Sequence, residues 1–376
     1  MKLETAEDVK AALKICDENY NEANKNLAFK CIERAKWLKD PSLEFDARHE
    51  FISQAFFLNH DEESIPMFAK QLHYIDHNDP SFLQQLSTLW AYKWVISALD
   101  EFSGISLEKI ENLFADFERR FNESGRAGNA VKDFKSRLAY GLGKPDEALE
   151  IYRQMMNEDK SGLLDDCKAC QVNNKLGLLM YHGLTDEVKK MVQPILDGEL
   201  TCENVPKTTY PKLTYMYYTL GEWDMAEKCD SQIKKHLDSE HFYADSYKNV
   251  LPFWGVTKKY VRALEVIKHQ MNFMTPRVSA ATKCSFFRSC SLFFRAMHQQ
   301  GDEWVKLDPS RLEEHHLLEY DKDGQLSTAS LEKVFLQMAR QRAEKLDTRN
   351  RNSFYTDRIK THTEMLDRQL KAYLAR

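Results

Sequence analysis

Large apolar residues recur at intervals of three and four through most of the chain, most plainly in YPKLTYMYYTLGEWDMAEK, Tyr210 to Lys228. Residues at that spacing share one face of an α-helix, so Tyr210, Leu213 and Tyr217 form a single stripe. Gly221 stands where the helix should end, because a residue without Cβ takes the left-handed cap conformation freely. Glu222 and Asp224 follow, carboxylates suited to the positive end of a second helix. Ala226 then leaves room for that second helix to approach the first. The pattern predicts a helical hairpin with one stripe buried and another left open, which requires stacked neighbours.

The hairpin signal repeats. Aligning the close-approach residue gives Ala28, Ser64, Ser106, Ala148, Val188, Ala226 and Ala263, spaced 36 to 42 residues apart. Four positions after each come Ile32, Phe68, Ile110, Tyr152, Val192, Asp230 and Ile267, with Asp230 the polar exception. Gly143, Gly183 and Gly221 precede the three central positions by five. Through LTYMYYTLGEWDMAEK, AYGLGKPDEALEIYRQM and WGVTKKYVRALEVI the chain resembles the tetratricopeptide repeat, although Lys258 takes the glycine's place in the last of these. The segments WAYKWVISAL, DCKAC, PILDGELTC and LDTRNRNSF make the whole chain similar to a group of bacterial tetratricopeptide-repeat proteins, a likeness that implies no activity.

The resemblance implies an all-α fold, a right-handed α-solenoid of about seven degenerate hairpins over residues 1–300. Beyond residue 300 the repeat is lost. Ser330 to Leu346 and Ser353 to Leu374 are amphipathic, and over 301–376 a C-terminal helical cap with a basic face is expected, covering the open end that solenoids must hide.

Composition agrees with helices joined by short loops. The 376 residues include only 13 glycines and 10 prolines, about half the usual share of each. No apolar run is long enough to cross a bilayer; the greasiest segment, CSFFRSCSLFF, carries Arg288 inside it and reads as a buried helix. The acidic start, MKLETAEDVKAALKICDENY, does not read as a signal peptide. Eight cysteines in so long a chain then suggest reduced thiols and a cytoplasmic location. A net charge of −5 argues against a general nucleic-acid binder, but Arg340 to Arg376 is locally basic, with ten Lys/Arg against five Asp/Glu.

Cys167-x2-Cys170 with Cys202 is the sharpest chemical constellation. If first helices of adjacent hairpins lie side by side, the three thiols converge. With His182, Asp166 or water they could hold zinc; equally, free cysteine packs as a small hydrophobe. In EYDKDGQLSTAS, Asp321, Asp323 and Gly324 imitate a calcium loop, but Ser330 stands where the bidentate glutamate belongs, so a turn before a helix capped near Ser327 is expected. EEHHLLEY, with His315, His316 and Glu319, lacks the two-turn metalloprotease spacing and reads as exposed polar helix. RIKTH, Arg358 to His362, reads as solvated surface. There is no phosphate-binding glycine loop and no nucleophile elbow, so no cofactor and no enzymatic activity are expected.

In the tetratricopeptide family the first helix of each hairpin lines an inner groove. Carrying those positions over gives Asp133, Arg137 and Tyr140, then Asn173, then Tyr215 and Tyr218, then Lys248. Such side chains can hold an extended peptide through aromatic contact, backbone hydrogen bonds and pairing with carboxylates, although tyrosines there can equally serve helix packing. The expectation is a protein- or peptide-binding scaffold or regulator that captures a partner in this groove. The alternative is a nucleic-acid-binding or enzymatic protein using the basic C-terminal helices or the cysteines.

Overall fold

The computed structural model describes residues 2–58, 60–158, 160–234 and 247–376. Among the described residues, fourteen helices follow one another as seven sequential pairs. They are α1 (Ala6–Glu18) and α2 (Glu22–Leu38), α3 (Pro41–Phe57) and α4 (Asp61–His77), α5 (Phe82–Leu99) and α6 (Leu107–Glu123), and α7 (Ala130–Gly141) and α8 (Pro145–Met156). Then come α9 (Lys168–Tyr181) and α10 (Thr185–Leu196), α11 (Thr209–Leu220) and α12 (Trp223–Lys234), and α13 (Leu251–Val256) and α14 (Tyr260–Phe273). Three longer helices complete the chain: α15 (Ala280–Gln299), α16 (Thr328–Asn350) and α17 (Phe354–Leu374). Between α15 and α16 a two-residue ribbon pairs Trp304 with Ser327 and Val305 with Leu326. Among the described residues the protein is all-helical apart from that ribbon.

Local chemistry sets these boundaries. Thr5 and Ser81 open α1 and α5 with reciprocal capping boxes to Asp8 and Gln84. Gly143, Gly183 and Gly221 all have positive φ, and after each the next backbone N–H reaches back to close the helix, as from Glu222 to the Tyr217 carbonyl at 2.9 Å. Lys258, which replaces the repeat's glycine, takes the same left-handed conformation at φ 58°.

The expected packing positions are met, with one correction. Ala28, Ser64, Ala148, Val188, Ala226 and Ala263 are all buried, as are all seven partners four residues on. Ser106 is not a packing residue: it is exposed and caps the N-terminus of α6, donating nothing to the helix contact. A serine directly before an apolar run satisfies orphan N–H groups better than it packs. Asp230, the polar exception, is buried because it accepts from the Trp254 indole at 2.7 Å and pairs with Lys259 and Arg262.

The two helices of each pair pack together, and first helices meet across pairs: α1 with α3, α3 with α5, α5 with α7, α9 with α11, α11 with α13. Lys175 of α9 joins Asp133 of α7 at 2.5 Å and completes this row. The row carries a chain of alternating charge, Lys93–Asp166–Arg137–Asp133–Lys175, in which Lys93 and Lys175 are almost wholly buried. Pairing of this kind is what makes charge tolerable in an interior.

Helix α16 packs along α15, and α17 contacts α11, α13, α15 and α16. The last helix therefore reaches well beyond the final pair. Phe354 meets the Tyr140 and Tyr181 rings at 5.6 and 5.7 Å, Tyr355 donates to the Gly141 carbonyl at 2.8 Å, and Tyr373 stacks near Trp223 at 4.8 Å. One large apolar cluster, from Ala139 to Leu370, unites the later pairs with these three helices.

Candidate functional site

Where α17 crosses the first-helix row, the two surfaces do not close completely. A cavity of about 290 Å³ lies among the end of α5, α7, α9, α15 and α17. Arg137, Tyr140 and Lys248, three of the seven groove positions expected from sequence, line it, together with Lys175, Lys212 and Arg358. Arg137 sits 3.6 Å from Asp166 and 3.7 Å from Asp133, its guanidinium over the Phe134 ring. Tyr140 packs edge-on against Tyr181 and Phe354.

The other four groove positions have internal partners, Asp133 being paired with Lys175 and Arg137. Asn173 donates to Thr208 and accepts from Thr209, each at 3.0 Å, while its carbonyl accepts from Lys212. These bonds tie α9 to α11. Tyr215 stacks on His362 of α17 at 5.7 Å, its hydroxyl 3.3 Å from Nδ1. Tyr218 is wholly buried against Trp223 and Phe253.

Sequence reasoning missed α17's share of the cavity. RIKTH is solvated surface only in part: Lys360 and Thr361 are exposed, but Arg358 is half-buried, lines the cavity, and has a buried Nε without a hydrogen-bond partner. Burial, reinforced by the charges of Arg288 and Arg358, holds His362 well below its ordinary pKa, so its ring is neutral. The helix is amphipathic, and the reading put Arg358 and His362 on the wrong face because charge alone suggested solvent. Arg288, the odd charge in the greasiest segment, is the signal that was visible. It is buried on α15, and its Nε also lacks a partner. Burial, then Arg358, pulls Arg288 down to about 10.

At the other end of the cavity Glu101 accepts from Ser279 and Thr282. The Asp100 carboxyl, beside it, is raised to about 8, first by burial and then by the Glu101 charge. It carries a proton at neutral pH and can donate a hydrogen bond. A larger cleft of about 490 Å³ between α3 and α5, lined by Phe45, Leu83 and Trp90, gathers fewer charged groups and none of the groove positions.

The three expected cysteines do converge. Cys167 caps α9 and accepts from the Cys170 N–H; Cys170 and Cys202 bring their sulfur atoms to 3.5 Å; all three sulfurs lie within 4.8 Å. The proposed fourth ligands are engaged elsewhere, Asp166 with Lys93 and Arg137, and His182 with the Pro145 carbonyl. Burial and the adjoining sulfurs push the Cys170 thiol far up. Burial also raises Cys202, but the Asn204 N–H, Cys170 and the Val205 N–H outweigh it and leave that thiol below its ordinary range.

The calcium-like segment is a turn: Asp321 accepts from the Asp323 and Gln325 N–H groups, and Ser327 caps α16. His315–Leu317 is a single 3-10 turn, not the polar α-helix expected, with His316 exposed. No protein-family model matches the chain, and no curated protein matches it.

Proposed function

We propose that the seven pairs form a right-handed superhelix of tetratricopeptide-like repeats, a scaffold that binds a protein or peptide. The partner engages the cavity between the first-helix row and α17. The observation that carries this reading is the meeting of Arg137 and Tyr140 of α7 with Lys248, at the start of the seventh pair, around one opening. Aromatic and cationic groups so arranged suit a segment bearing carboxylates. Asn173, Tyr215 and Tyr218 have a different part in it: Asn173 and Tyr218 hold the row together, and Tyr215 joins it to α17.

A nucleic-acid role for the basic tail is less well supported. Arg349 donates to the Asp100, Phe102 and Ile105 carbonyls, Arg342 pairs with Glu313, and Arg358 points inward. These three cations are committed to the fold and not available to a phosphate-tracking stripe.

The test is selection of a peptide-display library on the immobilised full-length protein, followed by calorimetry. Acidic peptides should be enriched, and Arg137→Ala or Lys248→Ala should weaken them about tenfold or more, whereas Glu227→Ala on α12 should not. Circular dichroism checks the folding of each variant. No enrichment, or equal binding by all variants, would sink the proposal; tight, steeply salt-dependent binding of duplex DNA would replace it.

A further inference from the structure

Most buried cations in this protein have a counter-charge. Lys175 has Asp133, Lys93 has Asp166, and Arg295 holds Asp367 through two bonds and Glu332 through a third. Arg288 and Arg358 are different. Neither forms an ion pair among the described residues, and both have a buried Nε with no acceptor. The charges that act on Arg288 are those of Arg358, Cys284, Tyr215 and Tyr140, and the last three of these groups also act on Arg358, together with Tyr355. Two like charges thus lie about a common space, Arg288 buried and Arg358 half-buried, with no carboxylate paired to either among the described residues.

The space is the far end of the cavity. Arg358 lines it from α17, its guanidinium 5.8 Å from the Tyr140 ring and 5.2 Å from the Phe354 ring. On α15 the lining residues Ala281 and Ser285 stand seven and three positions before Arg288, which places the guanidinium on the same helix face. Uncompensated burial of a cation costs several kcal/mol, and two adjacent cations cost more. Groups kept at such expense are characteristic of binding sites, where a ligand supplies what the empty fold lacks.

We infer that this cavity binds a small phosphate monoester whose dianionic head lies between Arg288 and Arg358. A phosphate dianion offsets two guanidinium charges at once, and its oxygens match the planar fork of each. A single carboxylate would leave one positive charge over. The opposite end suits the rest of such a molecule: Glu101 accepts from hydroxyls, protonated Asp100 donates, and Asn174 and Ser285 border the same volume. About 290 Å³ admits an organic group of sugar size. The site stands whether or not the scaffold also takes a peptide.

The experiment uses the full-length protein in phosphate-free buffer. Thermal unfolding is followed against inorganic phosphate and against glucose 6-phosphate, with potassium chloride at matched ionic strength as the control. Phosphate and the ester should raise Tm by several degrees beyond chloride. Arg288→Met and Arg358→Met should each cut the apparent affinity at least tenfold, yet unfold in chloride no earlier than wild type, because each removes an unpaired buried charge. That opposite movement of binding and stability is what a purely structural arginine does not give. If a methionine variant fails to fold, Arg288→Lys or Arg358→Lys retains the charge and should still weaken binding severalfold by losing the fork. Equal responses to phosphate and chloride, or variants that keep the wild-type phosphate response, overturn the inference. An adventitious effect of phosphate on the surface would appear as a shift that the four substitutions leave unchanged. Acidic-peptide binding that persists without any phosphate response would sink this site and leave the scaffold reading in place.

Discussion

Tyr215 and His362, 147 positions apart, stack with 26° between their rings and approach to 3.3 Å through the hydroxyl and Nδ1. The pair joins the middle of the first-helix row to the last helix. Gln369 does the same one turn pair further on, donating to the Thr219 carbonyl at 2.7 Å, and Arg295 grips Asp367 from α15. The last helix is therefore part of the wall that shapes the cavity.

Replacing Tyr215 by alanine should loosen that wall. Loss of a large packed ring costs about 2–3 kcal/mol, and the released helix should become cleavable within Phe354–Leu374. Limited proteolysis with mapping of the cut sites measures this. Cleavage rates equal to wild type would show that the ring pair does not hold α17.

Two glycines separate backbone strain from docking. Gly143 and Gly183 both have positive φ, so alanine at either costs roughly 1 kcal/mol or more. A Cβ at Gly183 meets nothing within 4 Å, but one at Gly143 would come within 2.6 Å of Phe354 Cβ and 2.7 Å of Asn352 Nδ2. Gly143→Ala should therefore lower the urea midpoint clearly more than Gly183→Ala. Equal losses would mean that the start of α17 adjusts freely.

Ala226 has no exposed surface where α12 meets α11. Leucine there overfills a closed contact, at a cost of about 1–3 kcal/mol. An unchanged denaturation midpoint would contradict the packing.

Asp100 makes stability depend on pH in an unusual direction for a carboxylate. Its folded pKa, about 8, lies above the usual unfolded value near 3.8, so the fold favours the protonated form. That contribution is complete below about pH 4 and is lost as pH rises through 8, by up to about 1.4 kcal/mol per pH unit. Between pH 5 and 8 the wild-type protein should lose stability relative to Asp100→Asn. Parallel stability curves for the two proteins would show that Asp100 ionises normally.

The thiols should differ in reactivity. Cys202 is half-buried with a lowered pKa and Cys167 is exposed, whereas Cys284 and Cys290 are buried, with thiols that burial raises. Iodoacetamide at pH 8 should modify Cys167 and Cys202 first in the native protein, and peptide mapping reads the order. Protection of both until a chelator is added, with stoichiometric zinc by metal analysis of untagged protein, would instead establish a three-thiolate zinc site.

Much of the helical plan was legible because it is local. The stripe Leu213–Tyr217, the left-handed stop at Gly221 and the small Ala226 require only neighbours within one hairpin, and all are found as read. Even Lys258 keeps the glycine's conformation. The contents of the groove were not legible. Nothing in Tyr215 or Tyr218 says whether a ring will meet a visitor or a helix of its own chain. Arg358 and His362 look like surface because inward-facing charge is rare, and a cavity that brings together residues from Asp100 to Arg358 is assembled by tertiary contacts alone.

The position of α17 also bears on how the molecule is made. Tyr355 meets Gly141 across 214 positions, so the row from α7 to α12 is synthesised long before the helix that covers it. Folding on the ribosome can build the hairpins one by one, since their contacts are short-range, but closure waits on contacts of very high sequence separation. Until residues 354–374 are available, Tyr140, Tyr181 and Tyr215 stand bare, an aromatic strip of the kind chaperones recognise and nascent chains aggregate through. A nonsense mutation before this helix should thus be felt as insolubility of the whole product rather than as the loss of one terminal element.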